Sequence, residues 1–222
     1  MHVSDGIELD VAYQPEATPT EIRTDMGYRV RLERAFIAVG QVELVPCDSL
    51  ASDLWELIGP ARARAHELST PTSLGVPLVL DLMESAGTPI FAGTLRPPPG
   101  SYCGIRFTGM PADEDAEGLT EESLDMMRHS VLVAARIEDG ASGDEWPVTV
   151  GIWEMLPCEL PFDEPFVFDR PVLESVAITI DHTAWFDGID FAAEDAGTVQ
   201  RQMTDNIRSS LTALRSYGTS GL

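Results

Sequence analysis

Apolar residues recur at every second position along at least six segments of this chain, and only one stretch repeats with a helical period. Alternation at period two puts successive side chains on opposite faces of an extended strand, so each segment suits a sheet with one face buried and one wet. Gly6–Tyr13, Tyr28–Val45, Val76–Met83, Phe91–Leu95, Tyr102–Thr108, Val131–Ile137, Trp146–Met155, Pro165–Phe168 and Val176–Ile180 read this way. Turn signals separate them. Pro97-Pro-Pro-Gly100 forces a reversal, and Asp139-Gly-Ala-Ser-Gly-Asp144 has the composition of a hairpin loop. In Tyr28–Val45 the alternation breaks near Gly40, which predicts two strands or one strand bent at a bulge.

The helical exception lies near the C-terminus. Val199, Met203, Ile207, Leu211 and Leu214 form one apolar stripe, with Glu194 and Asp195 at its front, Arg215 at its rear and Gly218 as a stop. The expected fold is therefore all-β, an antiparallel immunoglobulin-like β-sandwich over residues 1–195. One C-terminal α-helix over 196–217 packs on the same domain.

Charge narrows the partners. All 14 basic residues are arginine, and with 37 carboxylates the net charge is 14 − 37 = −23. Such a chain repels phosphate backbones and anionic membranes, which argues against nucleic acid. No apolar run is long enough for a membrane-spanning helix. Cationic partners and metal ions fit better. The polar opening Met1-His-Val-Ser-Asp-Gly6 reads either as an intracellular start or as the beginning of a mature region trimmed of its signal segment.

Two stretches hold groups able to do chemistry. Where the last alternating strand ends, Asp181-His-Thr-Ala-Trp-Phe-Asp-Gly-Ile-Asp190 gathers His182, Trp185, Asp187 and Asp190. Loops at strand ends are where a rigid sandwich presents binding groups. The second is the polar excursion Pro60–Thr72, which carries His66. His2 stands at the N-terminus, and His129, after Met126-Met127-Arg128, reads as structural or exposed. Imidazoles are ready ligands for copper and zinc, and carboxylates can complete a shell. Asp113-Glu-Asp-Ala-Glu-Gly118 lacks the ligand spacing of a calcium loop and reads as a flexible, solvated acidic loop. No nucleophile motif is present.

Tyr28-Arg-Val-Arg-Leu-Glu-Arg-Ala-Phe-Ile-Ala-Val-Gly-Gln-Val-Glu-Leu, Pro77-Leu-Val-Leu-Asp-Leu-Met and Leu95-Arg-Pro-Pro-Pro-Gly-Ser-Tyr-Cys-Gly-Ile-Arg-Phe occur in that order. In this respect residues 7–192 resemble a group of bacterial envelope β-sandwich proteins, and within it the periplasmic copper-binding proteins of the methanobactin-operon type. The resemblance implies a non-catalytic periplasmic or cell-surface metal-binding protein, with copper as the metal and a di-haem cytochrome of the peroxidase class as partner. On that reading His66 and His182 are ligands, with His2, Asp187 and Asp190 as further candidates, and Trp185 lies beside the site. Arg62 and Arg64 stand where further ligands would be expected. The competing expectation is a metal-free interaction module of the cell envelope. Export would also join Cys103 to either Cys47 or Cys158 and leave one thiol free.

Overall fold

The computed structural model describes residues 6–17, 19, 21–48, 69–75 and 77–216. His2, His66 and the predicted turn Asp53–Ile58 lie outside the described residues, as does most of the polar excursion. Within them the chain is an all-β sandwich with one α-helix near its C-terminal end. In order come β1 (Ile7–Pro15), β2 (Ile22–Arg23), β3 (Tyr28–Pro46), β4 (Ser73–Leu74), β5 (Leu78–Asp81) and β6 (Ile90–Leu95). Then follow β7 (Gly100–Gly109), β8 (Val131–Asp139), β9 (Glu145–Ile152), β10 (Leu156–Phe168), β11 (Val172–Ile180), α1 (Ala196–Ser210) and β12 (Leu211–Ser216). One sheet runs β12-β11-β1-β6 and the other β10-β7-β3-β8-β9, with β2, β4 and β5 also paired to β3. All pairings are antiparallel except β1 with β11, which run parallel from Ile7↔Val172 to Pro15↔Ile180.

β3 answers the question posed by the break at Gly40. It is a single strand of 19 residues with three register shifts. In two, between Leu32 and Arg34 and between Val39 and Gln41, β3 itself holds an extra residue, and in one, between Val45 and Pro46, the extra residue lies on β7. Each extra residue on β3 flips the face on which its later side chains lie. The core side therefore passes from Tyr28 and Val30 to Ala35, Ile37 and Val39, and back to Val42 and Leu44. A Cβ at position 40 would run into the Met110 side chain, so glycine at the second bulge is a steric requirement.

Residues Ala35–Gly40 are buried on both faces. Their second face packs Phe36 and Ala38 against Val79, Ala112, Ala116, Met126 and Leu132 in a small satellite core. The acidic stretch after β7 thus folds back as a cover and departs from the expected flexible loop. It is held by a 3-10 turn over Glu121–Met126 and by the bridges Leu78↔Glu117 and Ala112↔Met127. Glu114, Asp115, Glu117, Glu121 and Asp125 are exposed while Ala112, Ala116 and Met126 face in, a division that charge counting does not reveal.

β10 begins nine residues before the predicted Pro165, because Pro157, Pro161 and Pro165 disguise its alternation. It is an edge strand, where a missing N–H costs nothing when it points to solvent. The predicted helix is corrected at its end. It stops at Ser210, and Leu211–Ser216 pairs with β11 from Ile180↔Leu211 to Ser175↔Ser216. The Ser209 and Ser210 hydroxyls donate back to the Asn206 and Ile207 carbonyls, which weakens helical continuation. Leu211-Thr-Ala-Leu then alternates, with Leu211 and Ala213 buried and Leu214 exposed. The open edge of β11 wins over one more helical turn.

Cys47 and Cys103 form a disulfide that ties the end of β3 to β7, and Cys158 is a free, buried thiol. The bridge spans 56 residues, for which chain entropy gives about 4 kcal/mol of stabilisation. Urea unfolding of Cys47→Ala/Cys103→Ala should show a loss of that order. Thiol titration of the unfolded, unreduced protein should return a single sulfhydryl per chain; three would mean that the bridge does not form.

Candidate functional site

β11 ends at Ile180, and Asp181 opens a 3-10 turn over His182–Phe186 by accepting a hydrogen bond from the Thr183 amide at 3.0 Å. So short a turn swings His182, Trp185 and Phe186 to one side, and all three are buried. His182 and Trp185 pack edge to face with centroids 6.2 Å apart. The Trp185 indole N–H donates to the Ser210 hydroxyl at 3.0 Å. From the same helix the Asn206 amide donates to the carbonyls of Trp185 and Asp187, at 3.1 and 2.7 Å. The aromatic groups placed at the strand end are thereby the seat on which α1 docks, meeting Val199, Met203 and Ile207 in the main core.

The two aspartates take other duties. The Asp187 side chain is exposed, and its backbone caps the turn through a hydrogen bond to the Ala184 carbonyl. Asp190 accepts the Tyr28 hydroxyl at 2.6 Å and the amides of Ala192 and Ala193 at 3.2 Å each. These bonds, Tyr28 foremost, hold the Asp190 carboxyl below the usual carboxylate range, and the same bond raises the Tyr28 phenol. Tyr28 also packs edge to face on Phe191 and Trp146. Trp185, His182 and Asp190 thus join β11, β3 and α1. Among the described residues no three His, Cys, Asp or Glu side chains come together as a metal-binding group.

A different constellation stands on the surface. Leu124 and Met127 on the cover segment and Trp153 and Met155 in the turn from β9 into β10 are exposed, Trp153 by 59%. The His129 ring lies 5.6 Å from that of Trp153 and covers Gly151 so closely that a Cβ there would meet Nε2 at 2.7 Å. Its Nδ1 is 2.9 Å from the Asp125 carbonyl. The buried Ser130 stitches the two stretches together, its hydroxyl donating to the carbonyls of Ile152 and Glu154. Between them Arg128 holds φ at 69°, the only non-glycine residue among those described with a positive value. Strained backbone of this kind concentrates at working surfaces. In the sequence His129 reads as structural or exposed, and it is half-buried against Gly151 and Trp153. The available signal for the patch was the run Met126-Met127-Arg128-His129 together with Trp153 and Met155, large apolar groups at breaks in the strand pattern.

Elsewhere, the shallow cleft among Arg29, Arg31, Arg136 and their glutamate neighbours is occupied by its own ion pairs, including Arg29–Glu138 at 2.8 Å. Such exposed pairs contribute little to stability and leave no group free for a ligand.

Removing the Ser210 hydroxyl strands the buried indole N–H, so Ser210→Ala should cost about 1–3 kcal/mol in urea unfolding. Burial holds the His182 imidazole below its usual pKa, against the opposing pull of Asp181. The unfolded chain then binds the proton first, so stability is complete above about pH 6.5 and falls as pH drops below it. Asp190 adds a second decline below about pH 4, where the unfolded carboxylate protonates ahead of the folded one. Tyr28→Phe should flatten that lower limb and leave the upper one unchanged. No family model matches this chain, and no match to it is found among characterised proteins or solved structures.

Proposed function

We propose that this protein is a non-catalytic, exported binding module, and that the surface formed by Leu124, Met127, Trp153 and Met155 is where it meets its partner. The observation that carries the reading is the His129–Trp153 pair, with Trp153 exposed beside a strained backbone and Met155 exposed in the same turn. Exposed aromatic and thioether groups gathered on a charged body suit partner contact, since they offer much apolar area and adapt their shape. Rigidity supports the same reading. The His129–Trp153 pair sits just before β8 and just after β9, and Ser130 ties these two chain segments together. Export is supported by the Cys47–Cys103 bridge, since disulfides persist in oxidising compartments.

The copper reading rests on the resemblance to envelope copper-binding proteins. His182 is buried, and the other two histidines named for it, His2 and His66, lie outside the described residues. Equilibrium dialysis against copper separates the two readings. Tight stoichiometric binding that disappears in His66→Ala would favour the metal-binding protein and a cytochrome partner. Binding indifferent to every histidine leaves the interaction module.

The contact surface is tested by placing a photo-crosslinker at Met155 and, as control, at Leu173 on the other sheet, which is also exposed. A discrete adduct from position 155 that vanishes with Trp153→Ser is the expected result. Equal adducts from both positions would overturn the assignment. Trp153→Ser itself should change stability by no more than about 0.5 kcal/mol, because the side chain lies on the surface.

A further inference from the structure

Resting on that contact surface, we infer that the partner segment is cationic and amphipathic, with apolar anchors set among arginines or lysines. Charge complementarity carries this. The cover segment from Asp113 to Asp125 contains seven carboxylates and no basic residue, and Glu154 adds another beside Trp153. Arg128 is the one arginine between Met110 and His129. The fold sorts these groups: Ala112, Ala116 and Met126 turn inward, while Glu114, Asp115, Glu117, Glu121, Asp125 and Glu154 are exposed, Asp125 following Leu124 and Glu154 standing between Trp153 and Met155 in the chain. Arg34 pairs with Asp125 at 2.9 Å and offsets part of the charge, and most of it remains.

Exposed apolar side chains beside an acidic rim, the cover segment and Glu154, select against two occupants. A second copy of this chain would bring a rim of like sign and a further −23 to the contact. An acidic peptide would meet the same repulsion. A basic amphipathic segment gains twice, since its apolar anchors cover Trp153 and the methionines while its cations neutralise the rim. Thioether and leucine side chains repack around such anchors at little cost. Long-range attraction toward so acidic a body would also speed association at low salt.

The test pairs a synthetic amphipathic peptide of leucine, tryptophan and lysine with a twin in which every lysine is glutamine, titrated by calorimetry and by amide NMR. The expected result is binding of the cationic peptide with shifts centred on Met127, His129 and Trp153. Its affinity should exceed the twin's by about tenfold and fall steeply between about 0.05 and 0.5 M salt. Trp153→Ser/Met155→Ser should weaken it by about thirtyfold while the remote amides keep their positions. Equal binding of the two peptides would overturn the cationic partner and leave the contact surface standing. Binding unaffected by the double substitution would overturn the surface as well. Failure of both peptides would overturn the cationic segment, and the crosslink from position 155 would then decide the surface alone.

Discussion

One strand that changes its buried face twice organises this molecule. β3 pairs with β2, β4, β5, β7 and β8, so the larger sheet hangs on its register. A single bulge would put every later side chain on the wrong face. With two, at Glu33 and Gly40, the chain returns to its first phase after Val39, and Val30 and Val42 lie in the same core. The odd-phase stretch between the bulges is the part buried on both sides, and it is where the cover segment lies. Bulge, double burial and cover are parts of one solution, because a strand apolar on both faces needs something on each of them.

The C-terminal end of the fold depends on a second contact, between the turn after β11 and α1. The amphipathic helix has too little apolar stripe to stand alone, and its hold comes from Trp185, Phe186 and the polar bonds from Asn206 and Ser210. Tyr28 and Asp190 connect the same turn to the start of β3. Polar groups that resemble a ligand set along the sequence are spent on joining elements. Desolvation makes such bonds worth satisfying, and it leaves His182 as a neutral group in the core.

The surface left after these demands are met is uneven. Part of it carries arginine–glutamate pairs across neighbouring strands, such as Arg136–Glu33 and Arg106–Glu159. Large apolar side chains are exposed on strands too, Phe91, Val167 and Leu173 among them, and where β9 passes into β10 Trp153 and Met155 are exposed within one turn. Partner binding is proposed for that turn because Trp153 there pairs with His129 beside a strained backbone.

Period and charge, read along the chain, were enough to establish an all-β sandwich, a helix seeded at Asp195 and the break at Gly40, because these follow from local spacing. The stripe Val199, Met203 and Ile207 was legible for the same reason, and all three are buried in the helix, while Leu211 and Leu214, read as its continuation, belong to β12. Which cysteine joins Cys103, which face β3 buries and where the helix stops were decided in three dimensions. Those outcomes depend on partners far away along the chain: β7 for Cys47, the cover for Phe36 and Ala38, and the open edge of β11 for Leu211. His182 and Trp185 show the limit most plainly. Their chemistry is visible in the sequence, but whether they face water or the core depends on which way a five-residue turn swings them, and the docking of α1 settles that.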